Sequence, residues 1–135
     1  MVMRYLLDSN IVIFALKDPA CVAANRLRAT EAADIAICSV VEGELYSGAR
    51  KYGNPARRKA TLDEMLAIYP SLPFDSACVP QYARIRDHLE RRGSRIGAND
   101  LLIAAIALTH DLIVVSHNSD EFKRVPDLRV EDWSA

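Results

Sequence analysis

Residues 4–13, RYLLDSNIVI, decide the fold: an apolar run, Tyr5 to Leu7, ends in the carboxylate of Asp8, with Ser9 and Asn10 behind it and further apolar residues beyond. The run is too short for an amphipathic helix and reads as a buried strand, with a helix over Ile11–Lys17 following at once. A charge at the lip of a core needs a partner. Asp8 taken alone satisfies that need by capping the helix that starts at Asn10.

The same alternation continues along the chain. Pro19 and an alanine-rich stretch predict a helix over Cys21–Ala33, and Ile35–Cys38 is a second buried strand. Ser39 is the expected cap of a helix over Val40–Lys51 ended by Gly53, and Asn54-Pro55 opens another with Leu62, Met65, Leu66 and Tyr69 on one face. Ser71–Phe74 reads as a third strand, and Asp75 as the cap of a helix reaching Arg92, with Pro80 near its start and Gly93 after its end. Ala98–Thr109 is a helix, apolar nearly all round, whose Ala104, Ala105 and Ala107 permit close approach to a sheet. Leu112–Val115 is the fourth strand, a helical turn follows at Glu121–Lys123, and Leu128–Val130 is a terminal strand. Short apolar strands alternating with helices imply an α/β fold with a mostly parallel sheet covered on both faces. At 135 residues, without repeats or low-complexity linkers, one domain over 1–135 is expected.

Composition narrows the setting. Cys21, Cys38 and Cys78 are odd in number and form no CxxC pair, which argues against a disulfide scaffold or thiolate zinc site and for a reducing cytoplasm. Asp8 and Asn10 interrupt any signal-peptide core, and the run Leu101–Leu108 falls far short of the ~20 residues of a membrane span, so no membrane association is expected. The net charge of -1 is unevenly spread. Residues 50–60 hold Arg50, Lys51, Arg57, Arg58 and Lys59 with no acid, and residues 84–95 hold five arginines, including Arg91, Arg92 and Arg95, against Asp87 and Glu90. The last forty residues carry seven acids. Two basic flanks about an acidic centre suit phosphate binding if the acids converge.

Topology makes them converge. Ligands of an open parallel sheet bind beyond the carboxyl ends of its strands. Asp8 ends strand one, and Asn118 to Glu121 follow strand four. Asp100 lies in the first turn of the helix leading into strand four, and Glu42 or Glu44 begins the helix after strand two; residues two apart face different sides, so only one of these two leans inward. Two carboxylates ~4 Å apart repel by about 4 kcal/mol at an effective dielectric of 20, so the cluster must take up protons or hold a cation. Oxygen donors without histidine or thiolate select a hard ion, Mg2+ or Mn2+, over zinc.

Other chemistries lack their parts. No GxxxxGK[ST] or GxGxxG occurs, His88, His110 and His117 are dispersed, and Ser116 has no GxSxG setting. Asn10 stands where an aspartyl-nucleophile phosphatase would carry its second acid.

Four strings in register, YLLDSNIVI, VEGELYSGA, IGANDLLIAAIA and VVSHNSDEFKRVPDLRVEDW, resemble the PIN-domain ribonucleases, specifically the VapC-type toxins of toxin–antitoxin systems, from Tyr5 to Trp133. The resemblance implies an α/β/α sandwich and a metal-dependent endoribonuclease acting on structured RNA such as tRNA. By position it implies Asp8, Glu44, Asp100 and Glu121 as the catalytic, metal-binding acids, and Asn118 as a supporting asparagine. Glu42 matches no functional position. Ser9 stands where relatives often carry threonine and keeps its hydroxyl, and Asp120 adds an acid beside Glu121. Asp8 and Asp100 are the expected direct ligands, Glu44 and Glu121 complete the set or orient water, and Ser9, Asn10, Asn118 and Asp120 support them. The basic segments become RNA-phosphate contacts. The resemblance also implies a cognate antitoxin and a homodimer, with no DNA binding by this chain alone. A catalytically silent module that docks RNA or a basic protein is the alternative from another class.

Overall fold

The computed structural model of the chain describes residues 3–135. Five strands, β1 (Tyr5–Leu7), β2 (Ile35–Cys38), β3 (Ser71–Leu72), β4 (Ile113–Val115) and β5 (Val130–Glu131), form one sheet in the order β3-β2-β1-β4-β5. Every neighbouring pair is parallel. Seven helices cover it: α1 (Ser9–Lys17), α2 (Val22–Ala29), α3 (Ser39–Ala49), α4 (Pro55–Leu66), α5 (Val79–Arg91), α6 (Ala98–Thr109) and α7 (Ser119–Phe122). The fold is the expected α/β/α sandwich. Strands covered on both faces carry no polar alternation, and β2 and β4 are buried at every position. Ala104, Ala105 and Ala107 of α6 are fully buried.

Several boundaries differ from the sequence reading. The helix expected over Cys21–Ala33 stops at Ala29, because Thr30 turns extended and residues Ala32–Asp34 form a 3-10 turn that delivers β2. Helix propensity of the alanines carries no information about that turn. Ser39 is the first residue of α3 rather than its cap, a place taken by the extended Cys38. Pro73, with no N–H to donate, ends β3 after Leu72. Asp75 caps a 3-10 turn, Ser76–Cys78, and α5 proper begins at Val79. The last strand is shifted to Val130–Glu131, and α7 begins at Ser119.

The order of strands fixes where a site can be. From β1 the chain moves outward through β2 to β3, then returns to the other side of β1 with β4 and β5. Between β1 and β4 it winds away in both directions, which leaves a crevice at their carboxyl ends. Leu7 pairs with Val115 there, and Asp8 N donates to Val115 O at 2.9 Å. Asp8 and Ser116 are therefore the first residues past the sheet on either side of that crevice.

Candidate active site

Asp8 is only 4 % exposed, and both of its carboxylate oxygens are occupied. Oδ1 accepts the Ser9 backbone N–H at 2.9 Å, capping α1. Oδ2 accepts from Ser116 Oγ at 2.7 Å and from Asn10 Nδ2 at 3.4 Å. Capping and site membership thus coexist in one side chain. Ser116 is fully buried; its oxygen in turn accepts the Asn118 backbone N–H at 2.9 Å and Asn10 Nδ2 at 3.4 Å. Asn10 Oδ1 takes the His117 N–H at 3.1 Å, so α1 and the loop after β4 are laced together.

The other acids arrive from three more segments. Glu44, in the second turn of α3, accepts from Ser9 Oγ at 3.3 Å and from Asn99 Nδ2 at 3.5 Å. Glu42 points away and accepts from Ser71 Oγ on β3, which decides between the two glutamates on geometry. Asn118 Nδ2 bridges Asp100 Oδ2 at 3.1 Å and Glu121 Oε2 at 2.7 Å. Glu121 Oε1 takes the Gly97 N–H at 3.1 Å, and a Cβ at Gly97 would sit in ordinary van der Waals contact with both acids, 3.7 Å from Asp100 Oδ2 and 4.0 Å from Glu121 Oε2. Asp120 is exposed and makes none of these contacts.

This convergence has an electrostatic consequence. Burial, then the facing Glu121, then the charges of Asp8, Glu121 and Glu44 push Asp100 up to about 8. Glu121 moves the other way, held down chiefly by its hydrogen bond with Asp100 and further by Asn118, the Gly97 N–H and the charge of Arg124. The pair holds one proton near neutral pH. Burial also raises Asp8, against the opposing Ser116 and Ser9 hydrogen bonds, and raises Glu44, against those from Asn99 and Ser9. Among the described residues no three carboxylate, imidazole or thiolate groups are already disposed about one point as ligands. The donors here are all oxygens, and a hard cation would relieve the same repulsion that raises Asp100.

Sequence reasoning missed Ser116, Asn99 and Arg124. Ser116 had one usable signal, its place directly after β4, which mirrors that of Asp8 after β1. Asn99 sits in the first turn of α6 beside Asp100. A cleft of about 590 Å³ opens beside Glu44 and Asn99, floored by the small residues Ser39, Gly43, Ser47 and Gly48 and ending at Lys51. Of the expected RNA contacts, Arg50, Lys51, Arg57 and Arg58 are exposed, while Lys59 is paired with Asp63 at 2.8 Å. Arg91 is paired with Asp87 at 3.0 Å and Arg95 with Glu90 at 3.6 Å; Arg92 is exposed.

The PIN-domain profile matches residues 5–128, and "Ribonuclease VapC2" of Rickettsia felis is 36% identical over 132 residues, 97% of this chain and 98% of that protein. The chain belongs to the VapC-type PIN-domain ribonucleases. A second VapC relative, "tRNA(fMet)-specific endonuclease VapC" of Shigella flexneri, is 35% identical over 98% of this chain and 99% of its own. The solved VapBC2 of Rickettsia felis, bound to a DNA fragment from their promoter, superposes with a TM-score of 0.89 at 35% identity, covering 97% of this chain and 99% of that one. In this VapC-type chain Asp8, at the end of β1, and the helices that carry Glu44, Asp100 and Glu121 meet at the crevice set by the strand order.

Proposed function

We propose that this chain is a divalent-cation-dependent endoribonuclease that cuts structured RNA, tRNA included, as the toxin of a toxin–antitoxin pair. The observation that carries the reading is the meeting of Asp8, Glu44, Asp100 and Glu121 at the β1/β4 crevice, linked through Asn10, Ser116, Asn99 and Asn118. The names of the relatives support the substrate class: one is a ribonuclease, another a tRNA(fMet)-specific endonuclease.

Mg2+, or Mn2+, held by Asp8 and Asp100 with Glu44 and Glu121 completing the set, would supply Lewis acidity at the phosphate and a more acidic water. The chain's own residues do the rest. Ser116 and the Ser9 N–H fix both oxygens of Asp8, so its carboxylate cannot rotate. Asn118 holds Asp100 and Glu121 at one spacing, and the Gly97 N–H steadies Glu121 from the opposite side. Glu44 or Glu121 orients the attacking water and takes up its proton. Lys51, at the end of the cleft, and Arg124, near Glu121, bind phosphates beside the cut.

The partner is a cognate antitoxin, in line with the VapBC complex among similar structures; the chain works in the cytoplasm as a homodimer and does not bind DNA by itself. No helix among the described residues is long and apolar enough to cross a membrane. The test is incubation of purified protein with bulk tRNA in Mg2+, followed by an EDTA chase. Cleavage that starts with Mg2+ and stops with EDTA is expected. Binding without cutting would give the chain the silent docking role instead.

A further inference from the structure

We infer that the turn joining α3 to α4 together with the first residues of α4, residues 50–59, is a recognition site for an unpaired nucleotide of the RNA, separate from the carboxylates that cut it; the inference rests on the ribonuclease reading above. No acid occurs between Glu44 and Asp63, and five cations fall in that interval. Among the described residues, only Lys59 of these five has a carboxylate partner, Asp63. Residues 51–60 are exposed without a break, and among them Tyr52 leaves 65% of its surface in solvent. An aromatic ring thus stands mostly in solvent in a segment whose other four cations have no carboxylate partner among the described residues.

The ring is nevertheless placed. The Arg58 guanidinium lies over it, 6.0 Å from the ring centroid. Gly53, at φ +54, gives Arg58 the room: a Cβ there would come within 3.2 Å of both Nε and Nη2 of Arg58. A cleft of about 490 Å³ between α3 and α4 is lined by Tyr46, Ala49, Pro55 and Ala56 together with the cations Arg50 and Lys59. A mostly apolar lining that includes two cations suits a base and its phosphate. Bases offer a stacking face only where they are unpaired, so the ring selects loops over duplex. The charges alone would attract an acidic protein equally; the bare ring among them distinguishes RNA.

α3 ties this platform to the cutting site. It begins at the carboxyl edge of the sheet, carries Glu44 in its second turn, and brings Lys51 about 10 Å further along the axis. Glu44 and Lys51 line one continuous cleft. A single strand can thus be cut at one end of α3 and gripped at the other.

The experiment measures binding of fluorescently labelled bulk tRNA to the full chain in EDTA, so that nothing is cut. Tyr52→Ala is expected to weaken binding about tenfold, a loss within the ~1–3 kcal/mol range of one base stack. Tyr52→Phe keeps the ring and stays within about twofold of wild type. Arg57→Ala with Arg58→Ala lowers the slope of log K against log salt by about 1.4, the share of two phosphates on a single strand. Arg28→Ala, on α2, binds as wild type does. Unchanged affinity in the Tyr52 and double-arginine variants overturns the inference. So does an equal loss toward a blunt RNA duplex, or a change in molecular mass by light scattering with RNA affinity intact. Wild type that cuts tRNA while Tyr52→Ala binds normally defeats this inference alone; wild type that neither binds nor cuts tRNA defeats the ribonuclease reading beneath it.

Discussion

Ser116 shows how much of the site depends on one hydroxyl. It donates to Asp8 and accepts from Asn10 and Asn118, so it joins the two halves of the crevice. Ser116→Ala removes that junction while leaving a packable methyl group, and the protein should fold. RNA cleavage is expected to fall roughly 10- to 100-fold, the usual loss when a ligand's supporting partner is removed. Ser116→Thr, which keeps the hydroxyl, should recover most of the rate; equal loss in both variants assigns Ser116 to packing alone. The carboxylates give a second residue-scale prediction. Asp100 rises from 3.8 to about 8 on folding, and Asp8 and Glu44 rise too, so between roughly pH 4 and 8 the folded state binds more protons than the unfolded one. Stability supplied by these groups is complete below their unfolded values and is lost as pH climbs through the folded ones. Glu121 has the opposite sign, but its contribution is lost only as pH falls below the ordinary carboxylate range. In EDTA the urea midpoint should therefore drop from pH 5 to pH 8, and Asp100→Asn should flatten that slope. An unaltered slope in the variant contradicts the shared proton.

At the scale of elements, α4 shows what local chemistry contributes. Asn54 Oδ1 accepts the Arg57 N–H at 3.2 Å and Pro55 follows at the first helical position. Asn54→Ala should cost about 1 kcal/mol, seen as a fall of about 4 °C in melting temperature, without altering the metal dependence of cleavage. That cap was legible in the chain because it needs only adjacent residues. β1, β2 and β4 were legible for a similar reason, since strands buried on both faces are short apolar runs. The misread boundaries lie where neighbours several residues away decide: Thr30 and the 3-10 turn at Ala32–Asp34 end the alanine-rich α2, and Pro73 ends β3. The site divides in the same way. Asp8 and Asp100 follow from strand ends and helix starts, but the choice of Glu44 over Glu42 depends on Ser71 of β3 taking Glu42. The part played by Ser116 depends on the β1/β4 register, which no local pattern encodes.

Across the whole molecule, charge is sorted rather than balanced. Four of the eighteen acids meet at the β1/β4 crevice, while the tip after α3 carries no acid, so a net charge of -1 conceals local patches of opposite sign suited to holding a polyanion against a carboxylate centre. Binding of tRNA in EDTA should consequently weaken steeply as salt rises, whereas a flat response between 50 and 200 mM, taken as approximate conditions, would remove the phosphate-contact role of the tip. The central claim is that four carboxylates brought together by a parallel sheet cut RNA through a divalent cation. The most direct measurement is the rate of tRNA cleavage against Mg2+ concentration for wild type and Asp100→Asn, each verified as folded by circular dichroism. Wild type should show a saturable Mg2+ dependence and the variant at least about a 100-fold lower rate, as expected when several kcal/mol of charge stabilisation are lost. Cleavage by Asp100→Asn at the wild-type rate, or by wild type undiminished in EDTA, would contradict the central claim.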